Sequence, residues 1–305
     1  MANIGGLAVN SGLPLVISWF AVSQSDGLPK EPKAWFTTMC IYAIVGMCLL
    51  FFCFSQCKEK VVMDASESEN VKVSDLWMEF LHNRPLRIIA FFFITAFAMM
   101  SIGNAAGAYF MNCNMHGTAA ELSVFMALGS IPSFIFMPLV PVIKQAVGKK
   151  NMFYIFLGAA IVGMVMIYVI AKMEHPSMMW IYVAQFIKST GVIVATGYMW
   201  ALVPEVISYG EYKSGKRIAG IVNALTGIFF KAGMTLGGIV GPAVLAYVGY
   251  NSATTDQSPL AEEGILWLVC VIPAALLLLG IFIISQYELT DDVIDNINYE
   301  IEQRS

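Results

Sequence analysis

Residues 264–285 read GILWLVCVIPAALLLLGIFIIS, a run of 22 positions with no charged side chain. A helix rises about 1.5 Å per residue, so about 20 apolar residues cross the ~30 Å hydrocarbon core of a bilayer, and this run is long enough to span one. Working outward, seven more runs of similar character precede it: Ile4 to Val22, Trp35 to Phe54, Ile88 to Phe110, Leu122 to Ile143, Met152 to Ala171, Met178 to Val203 and Ile218 to Val248. The last of these holds Gly233, Gly237, Gly238, Gly241 and Pro242 and is expected to tilt or break there. The expected fold is an all-α membrane protein with eight transmembrane helices.

Composition agrees with the spans. Hydrophobic residues make up 58% of the 305 positions and charged residues 12%, against about 45–50% and about 25% in soluble domains. The formal charge of -4, with acids gathered between Glu288 and Glu302, excludes the basic field that nucleic acid demands. The six cysteines, at 40, 48, 53, 57, 113 and 270, lie mostly in apolar runs without CxxC pairing. They read as reduced packing residues rather than zinc ligands. No charged stretch precedes the first run and no small-residue cleavage pattern ends it, so no signal peptide is expected.

Lysine and arginine set the orientation, because loops rich in them stay cytoplasmic. Of the 17, only Lys30, Lys33 and Lys172 fall on one side, Lys188 and Lys231 lie inside spans, and all others fall on the second side. Both termini are therefore expected to be cytoplasmic, in a multi-pass protein of the cell membrane. The longest polar connection, 55–86, carries Asp64, Glu67 and Glu69 before an amphipathic run from Val73 to Leu86. It reads as a central linker between residues 1–54, the last two helices of a first bundle, and a six-helix bundle over 87–287, followed by a tail over 288–305. Two spans before the linker and six after it suggest that four helices of a two-times-six architecture are missing ahead of residue 1.

Inside the spans, polar residues are the candidates for function. A charge at membrane depth costs about 3 kcal/mol on insertion scales and by default faces a watery cavity or a partner. Lys231, flanked by Phe229, Phe230 and the glycine run, is the foremost pocket candidate; its alternative is a lysine that snorkels or pairs structurally. Lys188 and Gln185, one turn apart, suit hydrogen bonding to a polyol, although Lys188 is near enough to a span end to snorkel. Asn104, Thr196, Trp200, Asn223 and Thr226 supply the neutral hydrogen-bonding groups and aromatic face that a sugar site requires, or else glue between helices. Between spans six and seven, Glu205, Tyr209, Glu211, Lys213 and Arg217 form a short charged connection, readable as a cytoplasmic gate or as a solvated loop. No GxSxG, HExxH or P-loop pattern occurs, and His82, His116 and His175 fall at loops or span ends, so no enzyme and no cofactor are expected.

The segment from Ala201 to Tyr250 resembles the glycoside-pentoside-hexuronide:cation symporters of the major facilitator superfamily, the family of melibiose permease. The resemblance rests on Tyr209-Gly210-Glu211-Tyr212-Lys213, Gly215-Lys216-Arg217, Lys231 and Gly249-Tyr250. Asn83-Arg84-Pro85, Gly148-Lys149-Lys150, Tyr287 with Leu289, and the opening Ala2-Asn3-Ile4-Gly5-Gly6 extend it over nearly the whole chain. It implies helices 5 to 12 of a twelve-helix major facilitator fold, and symport of a sugar with a proton or sodium ion by alternating access. It makes Lys231 the lysine near the shared pocket and Arg217 a basic gate position. Ser208 departs from the aspartate that many members carry there. The carboxylates that bind the cation in this family lie on helices one, two and four. The chain would then be one wall of a sugar site with membrane lipid around it. The other reading is a transport-inactive fragment, or a half-transporter completed by a separate N-terminal piece.

Overall fold

The computed structural model describes residues 12–21, 32–56, 73–215, 219–252 and 254–304. Every element in them is helical. Helix α1 covers 12–20 and α2 covers Pro32–Gln56; the amphipathic α3, Val73–His82, leads into α4, Arg84–Tyr109. Then come α5 Ala119–Phe136, α6 Val140–Val147, α7 Lys149–Ala171, α8 Met178–Met199, α9 Leu202–Ser214 and α10 Ala219–Tyr247. The last three are α11 Pro259–Leu266, α12 Ile272–Ser285 and α13 Asp291–Arg304.

Among the described residues seven helical stretches are long and apolar enough to cross a membrane: Pro32–Gln56, Arg84–Asn114, Ala119–Phe136, Lys149–Ala171, Met178–Ser214, Ala219–Tyr247 and Pro259–Ser285. The chain is a multi-pass membrane protein. Of the first of the eight expected spans, Ile4 to Val22, only residues 12–21 are described, too short a helix to cross a membrane, so seven rather than eight stand here.

Prolines explain where the expected continuous spans divide. Pro138 has no N–H to donate, and the run from Leu122 to Ile143 turns at 137–139, separating α5 from α6. Pro204 sits in the first turn of α9, where a missing N–H costs nothing, and the chain turns at Trp200 and Ala201. Pro273 opens α12 directly after a π-helical turn, Trp267–Val271, whose wider coil relieves the clash of a proline ring with the preceding turn. A second π turn, Phe110–Asn114, extends α4. The charged connection expected after span six is not a loop: it is α9, ended by Gly215 in the left-handed conformation (φ 66°).

Helix α10 likewise does not break. Its glycines serve close packing instead: a Cβ on Gly233 would lie 2.7 Å from the Ile94 carbonyl oxygen, and one on Gly237 would lie 2.6 Å from that of Ala98. Two α4–α10 contacts are thus made backbone to backbone, as small residues allow in lipid, and the Ser101 hydroxyl donates to the Met234 carbonyl across the seam at 3.2 Å. The main helices pack in the order α10, α4, α12, α7, α8, α5. Their shared core holds Phe92, Phe93, Phe110, Phe125 and Phe153, with Phe92 meeting Phe153 edge-on at 5.4 Å. Among the described residues, the cysteines at 40, 48, 53, 113 and 270 form no disulfide. Cys57 lies outside the described residues.

Candidate functional site

Two groups of residues stand out, one on the open face of α4 and α10, the other where α6, α7, α9 and α13 meet.

On the open face, the turn that separates α8 from α9 presents the Trp200 indole, 49% exposed. Its ring is braced by Phe93 at 5.0 Å, Phe97 at 6.0 Å and Phe230 at 6.2 Å, and Phe97 meets Phe230 edge-on at 4.4 Å. Lys231, next in chain after Phe230, is exposed and has no ion pair among the described residues. Asn104 on α4 and Asn223 on α10 are also exposed; the Asn223 amide donates to the Ala219 carbonyl at 2.9 Å. Trp200, Phe97, Phe230 and Lys231 therefore combine a braced aromatic face with an unpaired cation.

The other expected pocket residues are placed differently. Thr226 is buried, and its hydroxyl donates to the Val222 carbonyl of its own helix at 2.8 Å. Thr196 is half-buried and donates to Val192 in the same way, at 2.8 Å. Such back-bonding satisfies a hydroxyl without a partner from outside. Lys188 turns toward α5, its ammonium 5.8 Å from the centre of the Phe125 ring, while Gln185 is buried with Oε1 unpartnered. Lys188 is thus half-buried against α5, whereas Lys231 is exposed.

The second group centres on Lys149, the first residue of α7. Its ammonium lies 2.8 Å from Glu205 Oε1 and 2.8 Å from Oε2, 3.1 Å from the Leu289 carbonyl and 3.2 Å from Asp291 Oδ1. Tyr287 donates its phenol proton to Glu205 Oε2 at 2.9 Å, and Lys144 of α6 pairs with Asp291 Oδ2 at 2.8 Å. The side chains of Lys149 and Glu205 are only 7% and 13% exposed. Burial and the Glu205 charge together push the Tyr287 phenol far above its ordinary range. Burial pushes the Asp291 carboxyl up, but hydrogen bonds and charge from Lys144 and Lys149 outweigh it and hold the group below its usual value.

Asn83 and Arg84 join the same end of the bundle. The Asn83 side chain caps α4 by accepting from Leu86 N at 3.0 Å while donating to Glu79 and to the Val206 carbonyl of α9. Arg84 pairs with Glu288 at 2.6 Å. The residues after α12 thus strap the ends of α4, α6, α7 and α9 together, and α13 packs along α9 with Ile297 buried.

Of the expected gate residues, Glu205 is therefore held inside its own bundle. Tyr209 is half-buried with the Lys213 ammonium 5.8 Å from its ring centre; Glu211 is half-buried and has no ion pair among the described residues. Arg217 lies outside the described residues. Sequence reasoning singled out Asn83, Arg84, Lys149, Tyr287 and Leu289 as motif residues but assigned them no role, and it passed over Lys144 and Asp291.

The comparisons with known proteins agree with this architecture. Residues 1–291 match the MFS/sugar transport protein family, and the chain belongs to that family, the glycoside-pentoside-hexuronide symporters of the major facilitator superfamily. Its members are transporters, not enzymes. The chain is 38% identical over 304 residues to the uncharacterized symporter YnaJ of Bacillus subtilis (strain 168), covering 99% of this chain and 63% of that protein. It is 29% identical over 265 residues to the glucuronide carrier protein homolog of Escherichia coli (strain K12), covering 87% and 56%. To the isoprimeverose transporter of Lactiplantibacillus pentosus it is 26% identical over 267 residues, covering 86% and 53%. The chain thus spans less than two thirds of the length of these relatives.

Proposed function

We propose that the chain forms part of a secondary transporter that moves a sugar or glycoside together with a proton or sodium ion by alternating access. The observation that carries this reading is the exposed tryptophan braced by three phenylalanines, one of which precedes an exposed lysine with no ion pair among the described residues, on helices that cross a membrane. Aromatic faces pack against the apolar side of a pyranose ring, and a lysine donates up to three hydrogen bonds to hydroxyls or a carboxylate. Lys231, Trp200, Asn104 and Asn223 are the residues placed to touch substrate. Thr196, Thr226 and Lys188 would join them only if the helices move.

In this reading the described spans are helices 6 to 12 of twelve and residues 1–22 belong to helix 5. Residues 55–86 are the linker, 87–287 the C-terminal bundle and 288–305 the tail, and both termini face the cytoplasm of a cell membrane. Tyr209, Glu211, Lys213 and Arg217 form the cytoplasmic gate, with Glu205 anchoring it from inside. The relatives' names include a glucuronide carrier and an isoprimeverose transporter; Lys231 suits the charged sugar of the first, and the Trp200 face suits either.

The test is uptake of radiolabelled glucuronides, pentosides and galactosides into cells expressing this chain or a form extended upstream, with and without a protonophore or sodium. Gradient-dependent uptake that falls at least about tenfold in Lys231→Ala, equivalent to about 1.4 kcal/mol, is the expected result. Uptake by the extended form alone, lost in Lys231→Ala, would support symport and mark this chain as an incomplete part of the transporter, and gradient-independent uptake, or none by either form, would overturn symport.

A further inference from the structure

The hairpin of α7 and α8 carries a feature that sugar transport does not use. At its Lys172 end, Val165 and Val169 of α7 and Met173 just past its end line, with Trp180 of α8, a groove of about 520 Å³ that His175 and Ser177 of the connecting turn also border. The volume falls within the range of about 300–1,000 Å³ typical of small-ligand sites. Its walls are hydrocarbon and indole, so a sugar would find almost nothing to hydrogen-bond, whereas an alkyl chain would find contact along its length.

All four wall residues are about half exposed or more: Val165 53%, Val169 50%, Met173 53% and Trp180 58%. Val165, Val169 and Trp180 belong to membrane-crossing helices and Met173 lies two residues past the end of one, so the medium that meets them is lipid. The mouth has a different chemistry. Ser177 stands at the N-cap of α8 but its hydroxyl makes no capping bond, and neither the His175 ring nor the Trp180 indole N–H has a side-chain hydrogen bond among the described residues. The neighbouring cation, Lys172, is engaged by Glu263 at 2.8 Å. The groove is therefore apolar along its length and carries at one end three exposed polar groups that no described side chain engages, at the depth where tryptophan concentrates in membrane proteins.

We propose that this groove binds one phospholipid, with an acyl chain lying between α7 and α8 and the phosphate accepting hydrogen bonds from Trp180, Ser177 and His175. An amphiphile alone matches both halves of the site: a detergent-like chain leaves the donors unpaired, and a free phosphate leaves the groove empty. Binding of this kind would hold the α7–α8 hairpin at a fixed depth in one leaflet.

The full 305-residue chain in nanodiscs, with a trace of phosphatidylglycerol carrying a photoactivatable diazirine near the end of one acyl chain, tests the proposal by mass mapping of adducts. Peptides covering 165–180 should be labelled at least about fivefold more than those holding Leu278 and Phe282, which are 58% and 63% exposed on α12. Val169→Trp, which fills the groove from an exposed wall, should cut that excess about fivefold and leave the α12 labelling unchanged. Ser177→Ala with Trp180→Phe, both at exposed positions, should lower it about two- to threefold, and that pair carries the test if the tryptophan variant misfolds. Even labelling of α7, α8 and α12, an excess that survives all three substitutions, or cross-links from the groove to a second copy of the chain would overturn the proposal.

Discussion

Helix α7 ends in a lysine–glutamate pair at each membrane face, and the two pairs are built from the same residue types to opposite effect. At its start Lys149 meets Glu205, with Tyr287 donating to the carboxylate and Asp291 and the Leu289 carbonyl sharing the ammonium. Just past its end Lys172 meets Glu263 at 2.8 Å, with Tyr168 and Trp267 donating to that carboxylate at 2.7 and 3.1 Å. Both carboxylates are fully hydrogen-bonded. The difference lies in water: Lys149 is 7% exposed and Lys172 46%. A buried pair has given up its hydration and depends on every partner present, while an exposed pair loses a partner and regains solvent. The same chemistry therefore acts as a structural pin at one face and as a loose tie at the other.

The largest effect should follow from removing the buried cation. Lys149→Ala leaves Glu205 buried with only the Tyr287 phenol to satisfy it, and should destabilise the bundle by about 3–5 kcal/mol. Thermal unfolding in detergent measures this. A double variant, Lys149→Met with Glu205→Leu, should recover much of the loss, because it removes both desolvated charges. If the single variant melts within about a degree of the parent, the burial argument fails.

Smaller losses come from the strap. Tyr287→Phe removes one donor to an ionised carboxylate and should cost about 1.5–3 kcal/mol. Acid should loosen the strap by another route. The folded Asp291 carboxyl titrates below its unfolded value, so its contribution to docking α13 is complete above about pH 4 and fades as pH falls through the lower, folded value. Spin labels at Tyr299 on α13 and Lys213 on α9 report the separation; it should grow on acidification to pH 3, and Asp291→Asn should show the wider distribution already at pH 7.

Legibility followed the range of the forces involved. Hydropathy reads a local quantity, and the spans stood out as uncharged runs, with Lys231 and Trp200 conspicuous within them. The divisions at Pro138, Pro204 and Pro273 were also visible as letters, yet hydropathy averages over the local backbone geometry that one proline imposes. The glycines of α10 carried a signal with two meanings, breakage or close approach, and only the position of α4 decides between them. The pin at Lys149 was the least legible. Its partners lie 56 residues away in Glu205 and 140 away in Leu289, and no periodicity within a helix connects such distances. What did surface was the pattern of short motifs, Asn83-Arg84, Gly148-Lys149 and Tyr287 with Leu289, which the fold brings to one end of the bundle.

The smallest effect completes the comparison at the other face. Lys172→Ala removes an ammonium that already contacts water, and Glu263 keeps Tyr168 and Trp267 as donors, so the unfolding midpoint should not move measurably. The pair should show itself through salt instead. The Lys172 ammonium is held above its ordinary range chiefly by its hydrogen bond to Glu263, with Tyr168 adding to it, and a contact of that kind between exposed groups weakens as ionic strength rises. Comparing amine-reactive labelling of Lys172 at 20 mM and 500 mM salt therefore separates the two ends of α7. Labelling of Lys172 should increase with salt, while Lys149, shielded by Glu205, Leu289 and Asp291, should stay unlabelled in both. Equal protection of the two lysines at high salt would mean that burial is not what distinguishes them.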